Sequence, residues 1–232
     1  MILQCKHLFK HFKTVNKTLT VLNDINFSIN EGEVVSIIGP SGSGKTTLLG
    51  LCAGLDEISE GEIILSNKNL ANLSQDEKAL LRNKKVGFIF QNFQLLPTLT
   101  ALENVMLPLE LLGKSHEAKS SAEALIRRVG LEDRQHHYPS QLSGGEQQRI
   151  AIARAFSNSP EILFADEPTG NLDEETSAMV ESLLFDLNKE KNTTLIIVTH
   201  DLELANKTNR TIQLKGGKVY SDMIVNSGKE VR

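Results

Sequence analysis

Val34-Val35-Ser36-Ile37-Ile38-Gly39-Pro40-Ser41-Gly42-Ser43-Gly44-Lys45-Thr46 is the stretch that sets the architecture of this chain. Its first five residues, four of them apolar and β-branched, follow the turn signal Glu31-Gly32 and predict a strand. The next eight match G-x-x-x-x-G-K-[ST] without a break. Thr46–Ala53 then reads as a helix, with Leu48, Leu49 and Cys52 on one face and Gly54 at its end. A glycine-rich loop between strand and helix can turn its backbone N–H groups inward around phosphates, helped by the positive end of the helix. Lys45 would reach the β- and γ-phosphates, and the Thr46 hydroxyl could ligate Mg²⁺. A flexible Ser/Gly linker would need neither flank. The loop alone indicates a nucleotide, not which one or which reaction.

The rest of the chain supplies the matching parts. Ile162–Ala165 and Leu195–Val198 are short apolar runs of the kind covered on both faces, and Val180, Leu183, Leu184 and Leu187 mark an amphipathic helix between them. That rhythm predicts a parallel α/β sheet. Residues 1–35 carry short β-like pieces, Ser59-Glu60-Gly61 turns into a strand at Glu62–Leu65, and Val86–Phe90 is a further strand ending at Gln91. Residues 92–157 read as mostly helical. Pro108 should kink or end a helix over Leu102–Leu112. Ala118, Ala122, Leu125, Ile126 and Val129 line one face of another helix, closed by Gly130. This helical stretch, about 92–157, is expected to be a lobe inserted into a single domain spanning 1–232.

Composition excludes several classes. The 232 residues are 40% hydrophobic and 23% charged, which fits a globular chain rather than a disordered one. A net charge of −4 offers no basic domain, so no nucleic-acid partner is expected. The two cysteines, Cys5 and Cys52, have neither metal nor disulfide spacing, which suits a reducing compartment. The N-terminus lacks the order of a signal peptide, and no run approaches the ~18 apolar residues of a membrane span. A soluble, intracellular protein is expected.

Two further stretches carry chemistry. Ile162-Leu163-Phe164-Ala165-Asp166-Glu167 puts two acids at the carboxyl end of a buried strand, the edge at which open α/β sheets bind ligands. Asp166 would hold Mg²⁺ and Glu167 would polarise an attacking water. Such acids can also simply end a strand before a turn, so the neighbouring phosphate loop is what gives them weight. In Leu142-Ser143-Gly144-Gly145-Glu146-Gln147-Gln148-Arg149, Ser143 and Glu146 form a capping box opening a helix over Gln147–Phe156. A cap does not call for two glycines, which weaken a helix start. Gly144-Gly145 makes sense if an anion approaches the backbone.

LSGGEQQR, the phosphate loop and ADEPTGNLD together resemble the ATP-binding cassette (ABC) ATPases, over roughly residues 1–220 and in the family's motif order. The resemblance implies an α/β fold with a P-loop NTPase (RecA-like) core, a small antiparallel β subdomain and an inserted α-helical subdomain. It implies ATP and Mg²⁺ as ligands, with Gly39, Pro40, Ser41, Gly42, Ser43, Gly44, Lys45, Thr46 and Thr47 at the phosphates. Thr46, Gln91 and Asp166 would serve the metal. Catalysis would fall to Glu167, His200, Gln91 and Lys45, with His200 as the switch histidine touching the γ-phosphate. Ser143, Gly144, Gly145 and Glu146 would act in trans on the nucleotide of a second copy, and Asn171-Leu172-Asp173 matches the D-loop that communicates across that dimer, Asp173 also suiting a helix N-cap. Phe12 stands where the family usually has a Tyr that stacks on adenine; a ring face suffices for stacking. Within the family, TGNLD, LFADEP and NFQLLPTLTALENVMLPL are similar to the lipoprotein-releasing, macrolide-efflux and cell-division group. The implied partners are a second copy of the chain and a separate integral membrane permease. The implied place is the cytoplasmic face of the inner membrane. A non-transport cassette is the alternative, but such members usually carry coiled-coil insertions or tandem cassettes. A kinase or GTPase would leave LSGGEQQR unexplained.

Overall fold

The computed structural model describes residues 1–13 and 17–224. The chain forms two compact units, Met1–Ala79 with Thr194–Arg232, and Leu80–Thr193.

The first unit holds an antiparallel sheet in the order Thr18–Ile29, Leu3–Lys13, Glu60–Leu65, Lys68–Asn69. The first two strands are longer than the short pieces expected, because bulges carry them past breaks in alternation. In Leu3–Lys13 the buried positions are Leu3 and Cys5, then Leu8 and Lys10. One extra residue near His7, whose φ is 45°, shifts the inward face from odd to even positions. The same unit contains a parallel trio, with Val34–Ile38 between Thr194–Val198 and Arg210–Lys215, and Lys218–Ile224 antiparallel on the last. Thr194–Val198 is buried along its whole length, as an apolar run without alternation should be.

Helix Lys45–Cys52 leaves the carboxyl end of Val34–Ile38 and buries Leu48, Leu49, Leu51 and Cys52. Its last residue brings Cys52 Sγ to 3.6 Å from Cys5 Sγ, with both thiols buried and Cys5 pushed up in pKa first of all by that burial.

The second unit pairs Val86–Phe90 with Ile162–Asp166 in parallel, Val86 opposite Ile162 and Phe90 opposite Asp166. Its helices are Ala101–Leu111, Ser115–Arg128, Gly144–Phe156 and Glu174–Lys191. Helix Ala101–Leu111 runs through Pro108 instead of stopping there. Pro108 lies in the last turn, so it removes a single intrahelical donor and the chain continues only three residues beyond it. Helix Gly144–Phe156 starts three residues ahead of the expected Gln147, directly after its cap Ser143. No helix among the described residues is long and apolar enough to cross a membrane.

Candidate active site

In the first unit, the glycine-rich loop bends through three glycines in backbone regions that side chains avoid: φ is 154° at Gly39, 75° at Gly42 and 96° at Gly44. A Cβ on Gly42 would project into open space, whereas one on Gly39 would collide with Leu214 O at 2.3 Å. The loop thus has one side fixed by packing and one side open. Lys45 folds back over it, with Nζ donating to the carbonyls of Gly39 at 2.9 Å and Pro40 at 3.2 Å. Ser43 Oγ is buried without a protein partner. Gly44 offers helix Lys45–Cys52 no side-chain cap, while Ser143, Asp173 and Asp201 each cap their own helices. A helix start without a side-chain cap, next to a buried orphan hydroxyl and a lysine, makes a receptor for an anion. Thr46 is exposed and Thr47 half-buried in the first turn.

His200 stands at the same edge. Ile37 is register partner to Val198, so Gly39 and His200 each lie two residues beyond a matched pair. Thr199 N donates to Ile37 O, and Thr199 Oγ1 accepts from Asp201 N at 3.0 Å. Asp201 then caps helix Leu202–Asn206 through Glu203 and Leu204. These bonds hold the backbone on both sides of His200 and leave its ring exposed. Phe12 is 42% exposed near the end of its strand, with Lys10 Nζ 4.9 Å from its ring centroid. Lys10 is itself buried and held by Asp56 at 2.9 Å, which also lowers the Asp56 pKa.

In the second unit, the matched pair Phe90 and Asp166 delivers Gln91 and Glu167 one residue further on. Gly170 measures their proximity: a Cβ there would lie 3.0 Å from Gln91 Nε2 and 3.3 Å from Glu167 Cβ. Glu167 has φ 47°, a left-handed value that a non-glycine residue keeps at a cost of order 1–3 kcal/mol. The turn after it is closed by Gly170 N to Glu167 O at 3.1 Å, and Gln148 Nε2 donates to Pro168 O. Asn171 faces Gln91: its Oδ1 accepts from Gln91 Nε2 at 3.2 Å, and its Nδ2 donates to Gln91 O at 3.0 Å and Asn92 Oδ1 at 2.9 Å.

Ser143 is exposed at its helix start and forms the expected capping box, Glu146 N to Ser143 Oγ at 3.2 Å and Ser143 N to Glu146 Oε2 at 2.8 Å. The Ser143 backbone bond, then Arg134 at 3.2 Å, holds the Glu146 carboxyl below its ordinary pKa. Asp173 caps helix Glu174–Lys191, and its pKa is lowered chiefly by the Thr176 backbone N–H. Its side chain is exposed, so the cap leaves it open to a second role.

In the first unit the expected site residues are Lys45 and Thr46, at the helix start after the loop, and His200, just past a strand's carboxyl end; in the second, Gln91, Asp166 and Glu167 lie at carboxyl strand ends. Sequence reasoning missed the residues that hold them. Arg154 donates to Gln94 O at 2.6 Å and Phe93 O at 2.9 Å, and burial pushes its pKa down to about 10. Asn104 is buried and ties Leu96, Leu99 and Thr100 to its helix. Gln148 had a visible signal, a polar residue on the stripe with Ala151, Ile152 and Ala155. Arg154 had none.

The family model described as ABC transporter matches residues 22–170. Over 222 residues the chain is 48% identical to the uncharacterized ABC transporter ATP-binding protein YbbA of Escherichia coli, covering 95% of this chain and 97% of that one. It is 47% identical, with the same coverage, to the lipoprotein-releasing system ATP-binding protein LolD of Idiomarina loihiensis. Among solved structures it is similar to the ATP-binding cassette MJ0796, in a dimeric post-hydrolysis state bound to ADP and Pi. The TM-score is 0.89 and the identity 41%, over 98% of this chain and 100% of that one.

Proposed function

The chain belongs to the ABC transporter ATP-binding family, and from that premise we propose how its residues divide the work of hydrolysing ATP to energise a membrane permease. It is an ATP-binding and ATP-hydrolysing subunit. Lys45 and the backbone of Gly39–Thr47 neutralise and grip the phosphates, and Phe12 offers its open ring face to adenine. Glu167 orients and polarises water for in-line attack, with Gln91 and His200 helping to position it. The donors available for a metal are a hydroxyl at Thr46, an amide oxygen at Gln91 and a carboxylate at Asp166. Such hard oxygen donors, few in number, suit Mg²⁺ shared with phosphates. That ion would spread the negative charge that builds on the phosphates.

Two copies would close head to tail, each phosphate loop meeting the other's Ser143-Gly144-Gly145. The exposed Ser143 and the uncapped start of Lys45–Cys52 support that arrangement. The partner is a permease of the lipoprotein-release, efflux or mechanical-transmission type, and the cassette works on its cytoplasmic face. The observation that supports the proposal best is the register of the two parallel pairs, Ile37 with Val198 and Phe90 with Asp166, which puts His200, Gln91 and Glu167 just past the carboxyl ends of strands.

The coupling surface is expected in the loop after Gln91, where Leu95 is half-buried and Leu96 is 43% exposed. Replacing both by Ser should weaken permease-stimulated ATPase and pull-down more than basal ATPase. Unchanged stimulation and capture would place the surface elsewhere. Equal loss of basal activity would mean the leucines only hold the unit together.

A further inference from the structure

Gln91-Asn92-Phe93-Gln94 is gripped from two sides by residues that no catalytic role requires. Phe93 and Gln94 are consecutive non-glycine residues in the left-handed region, φ 58° and 48°. Neither is stable there on local grounds, so surrounding structure must impose the conformation. Arg154, from helix Gly144–Phe156, does so by donating to both of their carbonyls. A half-buried guanidinium needs acceptors to offset its lost hydration, and the two left-handed residues aim their carbonyls at it. Each side therefore stabilises the other. At the opposite end Asn171 spends its whole side-chain amide on Gln91 and Asn92. The ring of Phe93 also lies beside Gly144, 3.6 Å from where its Cβ would be. The first turn of the helix that carries Arg154 thus abuts the same segment.

We propose that Asn171 and Arg154 are positioning residues that jointly hold residues 91–94 in one conformation and so fix where the Gln91 amide stands during hydrolysis. This rests on the assignment of Gln91 to the hydrolytic machinery made above. Asn171 links the segment to the turn between Glu167 and Asp173, and Arg154 links it to the helix that begins at Ser143. A displacement of either element is thereby passed to Gln91.

The test is steady-state ATP hydrolysis by the full chain carrying Asn171→Ala, Arg154→Met or both, beside Gln91→Ala. Each single variant should lower kcat about tenfold, as slack near the reacting atoms commonly does. KM for ATP should stay within about twofold, because the phosphate loop is untouched. The double variant should be about as slow as the slower single one, since either change releases the same segment. Gln94→Gly added to Arg154→Met should restore part of kcat, because glycine adopts a positive φ without the strain a side chain meets there. Unchanged kcat, a rise in KM matching the loss, multiplicative singles, or no recovery with Gln94→Gly would each overturn the proposal. Should Arg154→Met not fold, the solvent-facing Asn171→Ala carries the test alone through its kcat and KM. Full activity in Gln91→Ala would instead overturn the assignment of Gln91. Loss there with intact positioning variants would sink only the clamp.

Discussion

A Cβ placed on Gly145 would sit 2.4 Å from Cγ2 of Thr176, while one on its neighbour Gly144 would meet nothing nearer than 3.6 Å. Two adjacent glycines therefore answer to different demands. Gly145 lets helix Gly144–Phe156 approach helix Glu174–Lys191, and Gly144 has no such intramolecular excuse. Gly145→Ala should cost about 1–3 kcal/mol of stability by overpacking, and Thr176→Ser should recover part of it by removing the methyl. Gly144→Ala should leave stability unchanged or raise it by up to about 1 kcal/mol, yet slow ATP hydrolysis about tenfold by crowding the approach of the partner's phosphate. Thermal melts and phosphate-release rates separate the two cases. Equal destabilisation by both alanines would erase the distinction.

Glu167→Gln retains the shape of the side chain and removes its ability to act on water. Turnover should fall by roughly 10²-fold or more, with nucleotide binding preserved and a closed dimer accumulating. Phosphate release, nucleotide titration and size-exclusion chromatography with ATP report these three properties. Near-normal turnover would remove Glu167 from the role.

Ser143→Arg puts a bulky cation where the second copy's γ-phosphate should lie. The variant should bind nucleotide through its own loop and fail to hydrolyse it. Mixing it with Lys45→Ala chains should restore at most one competent site per heterodimer, a partial return of activity that neither variant shows alone. Hydrolysis by Ser143→Arg at the parent rate would rule out the trans arrangement.

Acid should loosen two helix starts. The carboxyls of Asp173 and Glu146 sit below their usual values because backbone N–H groups, from Thr176 and Ser143 respectively, bond their charged forms. A folded pKa below the unfolded one adds stability that is full above the unfolded value and disappears as pH falls through the folded one. The loss should therefore begin below about pH 4. Asp173→Asn keeps a capping oxygen without the titration, so its melting temperature should decline less steeply than the parent's between pH 5 and 3. Parallel curves would show that the cap's charge is immaterial.

Signals confined to a few neighbouring residues were legible in the sequence. Val86–Phe90, the Ser143–Glu146 box and the strand before Gly39 depend on a short apolar run, capping chemistry and glycine spacing, all of which are local. The N-terminal strands came out longer because the bulge at His7 breaks the period that would have betrayed them. Pro108 does not end its helix, since a proline in a final turn forfeits little. The left-handed residues Phe93, Gln94 and Glu167 carry no glycine to announce them. Arg154 and Asn171 act on backbone atoms dozens of residues away, and a charged or amide side chain doing that looks in sequence like one facing water.

Left-handed Glu167 also bears on how this protein could be altered by selection. Asparagine tolerates that backbone region better than glutamate, and glycine occupies it freely, so either would relieve local strain by about 1 kcal/mol. A library screened only for heat resistance would accordingly be drawn toward residues lacking the carboxylate proposed to act on water. On that proposal, survivors would be sturdier and slower to turn over ATP. Thermostabilising this cassette calls for a screen in which hydrolysis is scored beside melting, with position 167 held fixed.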